Sequence, residues 1–203
     1  MPNLINLILH LDKYLFPLVQ HYPFGIYFFL FIIITMETGL VIAPFLPGDS
    51  LLFAAGTIAA VGQMKIIFLW LLLVIAAILG DSINYHIGAY AGNKLLRFIK
   101  EVHLQKTKAY FEKYGKKTIV LARFIPVVRT IAPFLAGMGK MPYQEFLVYN
   151  ILGGFLWVTL LLFGGYFFGQ LQVVQKNFGL ITLGIIAISF LPLVWEWMKR
   201  KKN

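Results

Sequence analysis

Long apolar stretches cut by short polar ones make up this chain, and the lengths of the stretches carry the first conclusion. Runs close to the ~20 residues that cross a bilayer occupy 66–90, broken by Asp81, and then 146–168 and 180–197. Helix is the element expected for them, because a spanning segment must satisfy its backbone internally. The stretch 24–62 is roughly twice one span, with Pro44, Pro47 and Gly48 near its middle, and 118–139 holds Pro126 and Pro133. Between them, 94–117 is polar, with Leu95, Leu96, Phe98, Ile99, Leu104, Tyr110 and Phe111 as candidates for one apolar face of a surface helix.

Composition agrees: 60% hydrophobic and 16% aromatic residues, with a mean hydropathy of +0.79, exceed what a soluble domain buries. No basic region leads into a short apolar run with a small-residue cleavage site, so no removable signal peptide is expected. The chain has no cysteine, which excludes disulfides, thiolate chemistry and Cys-based metal sites. The net charge of +10 is concentrated in two places. Lys94, Arg97, Lys100, Lys106, Lys108, Lys113, Lys116 and Lys117 face only Glu101 and Glu112, and the tail carries Lys199, Arg200, Lys201 and Lys202. Beside membrane spans such clusters mark the cytoplasmic side and meet anionic headgroups; nucleic acid is not an expected partner.

Both clusters fall on one side only if an even number of crossings separates them. Of the three apolar segments in between, 118–139 is the one with prolines to break it, so it is expected to dip in and return. The expected fold is an all-α polytopic membrane protein of one domain, 1–203. Its parts are a re-entrant hairpin at 24–62, a transmembrane helix at 66–91, a cytoplasmic amphipathic segment at 94–117, a second re-entrant hairpin at 118–139, transmembrane helices at 143–169 and 178–197, and a basic cytoplasmic tail at 198–203. Residues 1–23 receive no placement, since His10, Asp12 and Lys13 argue against a clean span. One crossing separates the hairpins, so they enter from opposite faces, the geometry of an inverted repeat.

A short internal repeat supports this. Ile42-Ala43-Pro44-Phe45-Leu46-Pro47-Gly48 returns as Ile131-Ala132-Pro133-Phe134-Leu135-Ala136-Gly137. Read as helix interruptions, the two copies place breaks at Pro44, Pro47, Gly48, Pro133 and Gly137, with Pro126 a further break ahead of the second copy, and paired breaks mark substrate sites in transporters built from repeats. Two unrelated proline kinks are the plainer alternative. Each following helix carries a Gly-x-x-x-Gly, Gly88/Gly92 and Gly165/Gly169, a spacing for close helix approach. Packing within the chain is its expected use, and a homo-oligomer stays open.

Ionisable residues in apolar segments are costly and by default paired and functional. Glu37 and Asp49 flank the first break, Arg123 and Arg129 the second, so acids of one hairpin can neutralise arginines of the other. A structural salt-bridge cluster is the plainer reading. Functionally, Arg123 and Arg129 suit a phosphate headgroup, because the guanidinium fork matches its oxygens. Gly48-Asp49-Ser50 opens a helix, where amides attract anions and Ser50 adds a hydroxyl. Glu37, Asp49 and Asp81 are candidates for taking up a proton; Asp81 either lines a cavity or caps a break. Asn84, Tyr85 and Asn150 are candidate cavity-lining residues, although a lone Asn is often an interhelical contact. Trp70, Trp157, Trp195 and Trp197 read as packing residues and interfacial anchors.

Glu37-Thr38-Gly39, Pro44-Phe45-Leu46-Pro47-Gly48-Asp49-Ser50-Leu51-Leu52, Ala55-Gly56, Gly80-Asp81, Ala122-Arg123-Phe124-Ile125-Pro126-Val127-Val128-Arg129-Thr130, Ala136-Gly137 and Asn150, in this order, resemble the bacterial DedA family, which shares its membrane domain with eukaryotic VTT proteins. The resemblance covers roughly residues 14–197. It implies a multi-pass inner-membrane protein with facing re-entrant hairpins and a cytoplasmic C-terminus. It also implies lipid flipping, notably of undecaprenyl phosphate, dependent on the proton motive force. The family's essential acids fall on Glu37 and Asp49, its essential arginines on Arg123 and Arg129. The expected function is a flippase or scramblase for an anionic phosphate-bearing lipid, with protons, that lipid and the bilayer as partners and no cofactor or metal. A proton-coupled small-anion transporter is the alternative. An intramembrane lipid phosphatase is disfavoured, as the histidines at 10, 21, 86 and 103 are scattered and no nucleophile pairs with them.

Overall fold

The computed structural model describes residues 23–40, 48–60, 64–95, 99 and 101–171. These are all-helical: α1 (Pro23–Gly39), α2 (Gly48–Ala60), α3 (Ile66–Leu95), α4 (Glu101–Tyr114), a 3-10 turn (Gly115–Lys117), α5 (Thr118–Ala122), α6 (Pro126–Met138) and α7 (Tyr143–Gly169). No strand occurs among the described residues. Pro44 and Pro47, the span expected at 178–197 and the tail at 198–203 lie outside them.

Two helices are long and apolar enough to cross a membrane, α3 over Ile66–Gly92 and α7 over Tyr143–Gly169. On α3 a stripe of Ile67, Leu71, Ile75, Leu79 and Ile83 recurs every fourth residue and is exposed, as is Leu152, Leu156 and Leu160 on α7. Contiguous apolar stripes of this length are out of place in water and suit lipid. The crossing helix expected at 66–91 runs on to Leu95. The surface helix expected over 94–117 is correspondingly shorter, restarting at Glu101. Its apolar face meets protein: Leu104 is buried with Ile131, Phe134 and Leu135 of α6, and Phe111 packs against the same cluster.

The chain forms two compact units, each drawing on several helices. In the first (described residues 23–30, 48–60, 64–70 and 159–171), α2 lies against the C-terminal half of α7. A Cβ added at Gly56 would stand 2.0 Å from the Leu162 carbonyl oxygen, and one at Gly165 would stand 2.0 Å from that of Phe53. The Thr57 hydroxyl donates to the Gly165 carbonyl (3.1 Å). In the second (31–40, 71–95, 99 and 101–158), α6 lies against the C-terminal half of α3 in the same pattern. A Cβ at Gly137 would stand 1.9 Å from the Tyr85 oxygen, and one at Gly88 would stand 2.1 Å from that of Phe134. Phe53, Gly56 and Gly165 thus do in one unit what Phe134, Gly137 and Gly88 do in the other. Both Gly-x-x-x-Gly pairs pack within the chain.

This pattern corrects the register of the sequence repeat. The second heptapeptide copy, 131–137, lies wholly inside α6, so Pro133 and Gly137 are not breaks. The break comes earlier. The amides of Arg123, Phe124 and Ile125 bond three residues back, to Val120, Leu121 and Ala122, which tightens and ends α5. Pro126 then holds Ile125 extended (φ −125°, ψ 105°) and starts α6 as its first residue. After the break the chain turns back. Arg123 lies beside Ala77 and Asp81, but Thr130 is beside Asn84, Phe134 beside Gly88 and Met138 beside Gly92. So α5 and α6 descend along α3 to the level of Asp81 and return.

Gly165→Ala is expected to destabilise by about 1–3 kcal/mol, since the added methyl meets backbone that cannot yield. Gly164→Ala, whose Cβ would find only Phe53 Cε2 at 3.9 Å, is expected to cost nothing. Thermal unfolding of the two purified variants in detergent checks the contrast.

Candidate functional site

Where the α5–α6 turn reaches α3 and the N-terminal half of α7, the second unit gathers four buried charges. Arg123 closes α5, and its guanidinium Nη2 reaches Asp81 Oδ2 (2.6 Å), Asn150 Oδ1 (2.5 Å) and the Ala77 carbonyl (3.4 Å). Gly153 and Gly154 of α7 make room for it: a Cβ at Gly153 would lie 3.0 Å from Arg123 Cδ. One turn into α6, Arg129 pairs with Glu37 near the end of α1. Glu37 reaches that position because α1 crosses α3 at glycine; a Cβ at Gly80 would overlap the Thr38 hydroxyl at 1.8 Å. Side chains of Asp81, Arg123 and Glu37 are nearly inaccessible, and Arg129 keeps 10% exposure. Charges so buried persist because each has an opposite partner and hydrogen bonds.

Asn84 fastens the surroundings of the second pair. Its amide nitrogen donates to the Thr38 carbonyl (3.1 Å) and the Thr130 carbonyl (2.8 Å), the residues directly after Glu37 and Arg129. One side chain of α3 thereby fixes the end of α1 and the start of α6 in register. Pro133, though no break, lacks the N–H that an uninterrupted helix would offer to the Arg129 carbonyl.

Beside both arginines stands Trp157, 2% exposed, with its ring centroid 5.2 Å from Arg129 Cζ and 5.7 Å from Arg123 Cζ. With Thr38 and Asp81 these three side chains line a cleft too narrow in this conformation for a water molecule.

Of the expected site residues, the structure brings together Glu37, Asp81, Arg123 and Arg129, with Asn84 and Asn150 bonded around them. Asp81 sits in continuous helix and lines the cleft, so it caps no break. Asn84 and Asn150 bridge helices and do not line the cleft; the Asn150 amide donates to the Ile78 carbonyl (3.0 Å). Tyr85 faces elsewhere: its ring stacks on Phe146 (4.6 Å) and its hydroxyl donates to the Met141 carbonyl. Gly48, Asp49 and Ser50 open α2, which belongs to the first unit. Trp157 was not expected here. Its position halfway along the 143–169 span, far from the ends where interfacial tryptophans sit, is the signal that could have found it. No group of three or more metal-ligating side chains occurs among the described residues.

The VTT domain model matches residues 46–167 of this chain. The chain is 48% identical to Protein DedA of Escherichia coli (strain K12), over 98% of this chain and 94% of that protein. The chain belongs to the DedA family. Within the family it is also 37% identical to the inner membrane protein YqjA of Escherichia coli (strain K12), over 88% of this chain and 87% of that one. It is 42% identical to the uncharacterized membrane protein Rv0364 of Mycobacterium tuberculosis (strain ATCC 25618 / H37Rv), over 80% and 74%. No solved structure matches. Membership makes this a membrane protein, in keeping with α3 and α7; none of these relatives' names carries a substrate.

Arg123→Ala is expected to cost about 3–5 kcal/mol by leaving Asp81 buried and unpaired. Adding Asp81→Ala should restore much of that loss, so a double-mutant cycle by detergent unfolding should show strong coupling.

Proposed function

We propose that this DedA-family protein is a proton-coupled flippase or scramblase for an anionic, phosphate-bearing lipid such as undecaprenyl phosphate in a bacterial inner membrane. The observation that carries it is the buried pairing of two arginines with two carboxylates at a helix break. Each arginine holds a carboxylate where a phosphate can take its place, with the same sign of charge and a pair of oxygens that the guanidinium fork can meet. Among the described residues Arg123 Nε has no hydrogen-bond partner, which leaves a buried donor for a further oxygen.

Protonation of Glu37 would cancel its hold on Arg129 and free the guanidinium for a headgroup; loss of that proton on the other side would return it. Asp81 is a further proton-coupling candidate; in the first unit Asp49 and Ser50 remain candidates by residue type, for proton coupling and phosphate binding respectively. The segment holding the arginines suits re-entry. At 13 residues α6 is ~20 Å long against a hydrocarbon core of ~30 Å, and it turns back beside α3. With a matching hairpin in 24–62 the fold becomes an inverted repeat whose basic interval and C-terminus face the cytoplasm. Substrate entry requires the cleft to widen, while lipid tails stay in the bilayer along the apolar stripes.

Headgroup translocation of undecaprenyl phosphate in proteoliposomes tests this. The natural protein should transport along an imposed proton gradient, Arg129→Ala should reduce the rate at least tenfold, and Glu37→Gln should remove its pH dependence. An unchanged pH profile in Glu37→Gln sinks the proton coupling. Absence of transport by the natural protein, with uptake of a lipid-free anion instead, sinks the lipid reading.

A further inference from the structure

Trp157 has no role in the proton and phosphate exchange just described, yet it is the side chain both arginines share. We infer that Trp157 is a positioning residue: its indole holds Arg123 and Arg129 in place while their in-plane N–H groups exchange carboxylate oxygens for phosphate oxygens. This rests on the phosphate reading of the site.

Both guanidinium carbons lie within the ~6 Å of a ring centroid at which the ring quadrupole attracts a cation. The ring is 2% exposed, so water does little to screen that attraction. Two guanidiniums side by side repel each other, and in this structure Asp81 and Glu37 offset the repulsion. When a carboxylate is protonated or displaced, that compensation is lost at the moment the arginine must stay put. A ring contact survives the exchange, because the ring attracts the cation as a whole and supplies no oxygen that would occupy its N–H donors. Plain packing would need only apolar volume at 157. Interfacial anchoring is excluded by the position halfway along α7 and by the burial.

The two roles separate by substitution. Leucine keeps apolar bulk without a quadrupole, and tyrosine keeps an aromatic face. Binding of radiolabelled dodecyl phosphate, a single-chain phosphate monoester, is measured by scintillation proximity on the purified full-length protein in neutral detergent. Unfolding midpoints are recorded alongside. Trp157→Leu should weaken binding about tenfold, and Trp157→Tyr should stay within about threefold of the natural protein. Leucine binding as well as tryptophan overturns the role of Trp157 and leaves the phosphate site standing. So does equal loss in the leucine and tyrosine variants, which marks a shape requirement only. Failure of the natural protein itself to bind dodecyl phosphate overturns the phosphate reading, and the positioning role with it.

Discussion

A charge placed among apolar helices must find an opposite charge, and much of the second unit's local arrangement follows from that requirement. Arg123 is held by Asp81 and Asn150, Arg129 by Glu37, so α5, α6, α1, α3 and α7 are all tied to one cluster. The pairs are short-reach contacts, and they need backbones that come close. Gly80 lets α1 in and Gly153 accommodates Arg123; at each of these positions even a methyl group would push the partners apart. Polar chemistry and small-residue packing are therefore one device. The glycines set the spacing, and the ion pairs use it.

The same helix pair is built twice from different parts of the chain. In one unit Gly56 and Gly165 bring α2 against α7; in the other Gly137 and Gly88 bring α6 against α3. Each crossing helix carries on its C-terminal half a docking place for a short helix that follows a break or an interval. Without a hydrophobic force to press helices together in lipid, van der Waals contact at such glycines carries much of the association. The charged cluster of Glu37, Asp81, Arg123 and Arg129 gathers at the break in the second unit.

The cleft is lined by groups that are already paired and is too narrow for a water molecule. Buried ion pairs cost much of what they gain, and replacing them with apolar residues is often neutral or stabilising. Four charges kept at such a place are better accounted for by a task than by stability. Asn84 supports the same pair: by holding the Thr38 and Thr130 carbonyls it keeps Glu37 and Arg129 at pairing distance.

Much of the site was legible without coordinates. Ionisable residues in apolar runs are rare enough to be noticed one at a time, so Glu37, Asp81, Arg123 and Arg129 could be named, and opposite signs near successive breaks pointed to pairing of Glu37 with an arginine. Helix, membrane class and the span over 143–169 followed from run length alone, because the bilayer fixes that length. What the chain could not reveal was which contact each residue makes. The heptapeptide repeat pointed to breaks at Pro133 and Gly137, but a proline inside a helix and a proline that starts one differ only in what the preceding backbone does, and that was decided by the turn at Arg123 to Ile125. The partner of Arg123 is Asp81, forty-two residues earlier, and the ring shared by both arginines is Trp157, which in sequence looks like any other tryptophan. Composition and periodicity act along the chain and so determine helix, membrane and charge. Pairing acts between segments brought together by close glycine contacts, and only the tertiary structure could decide it.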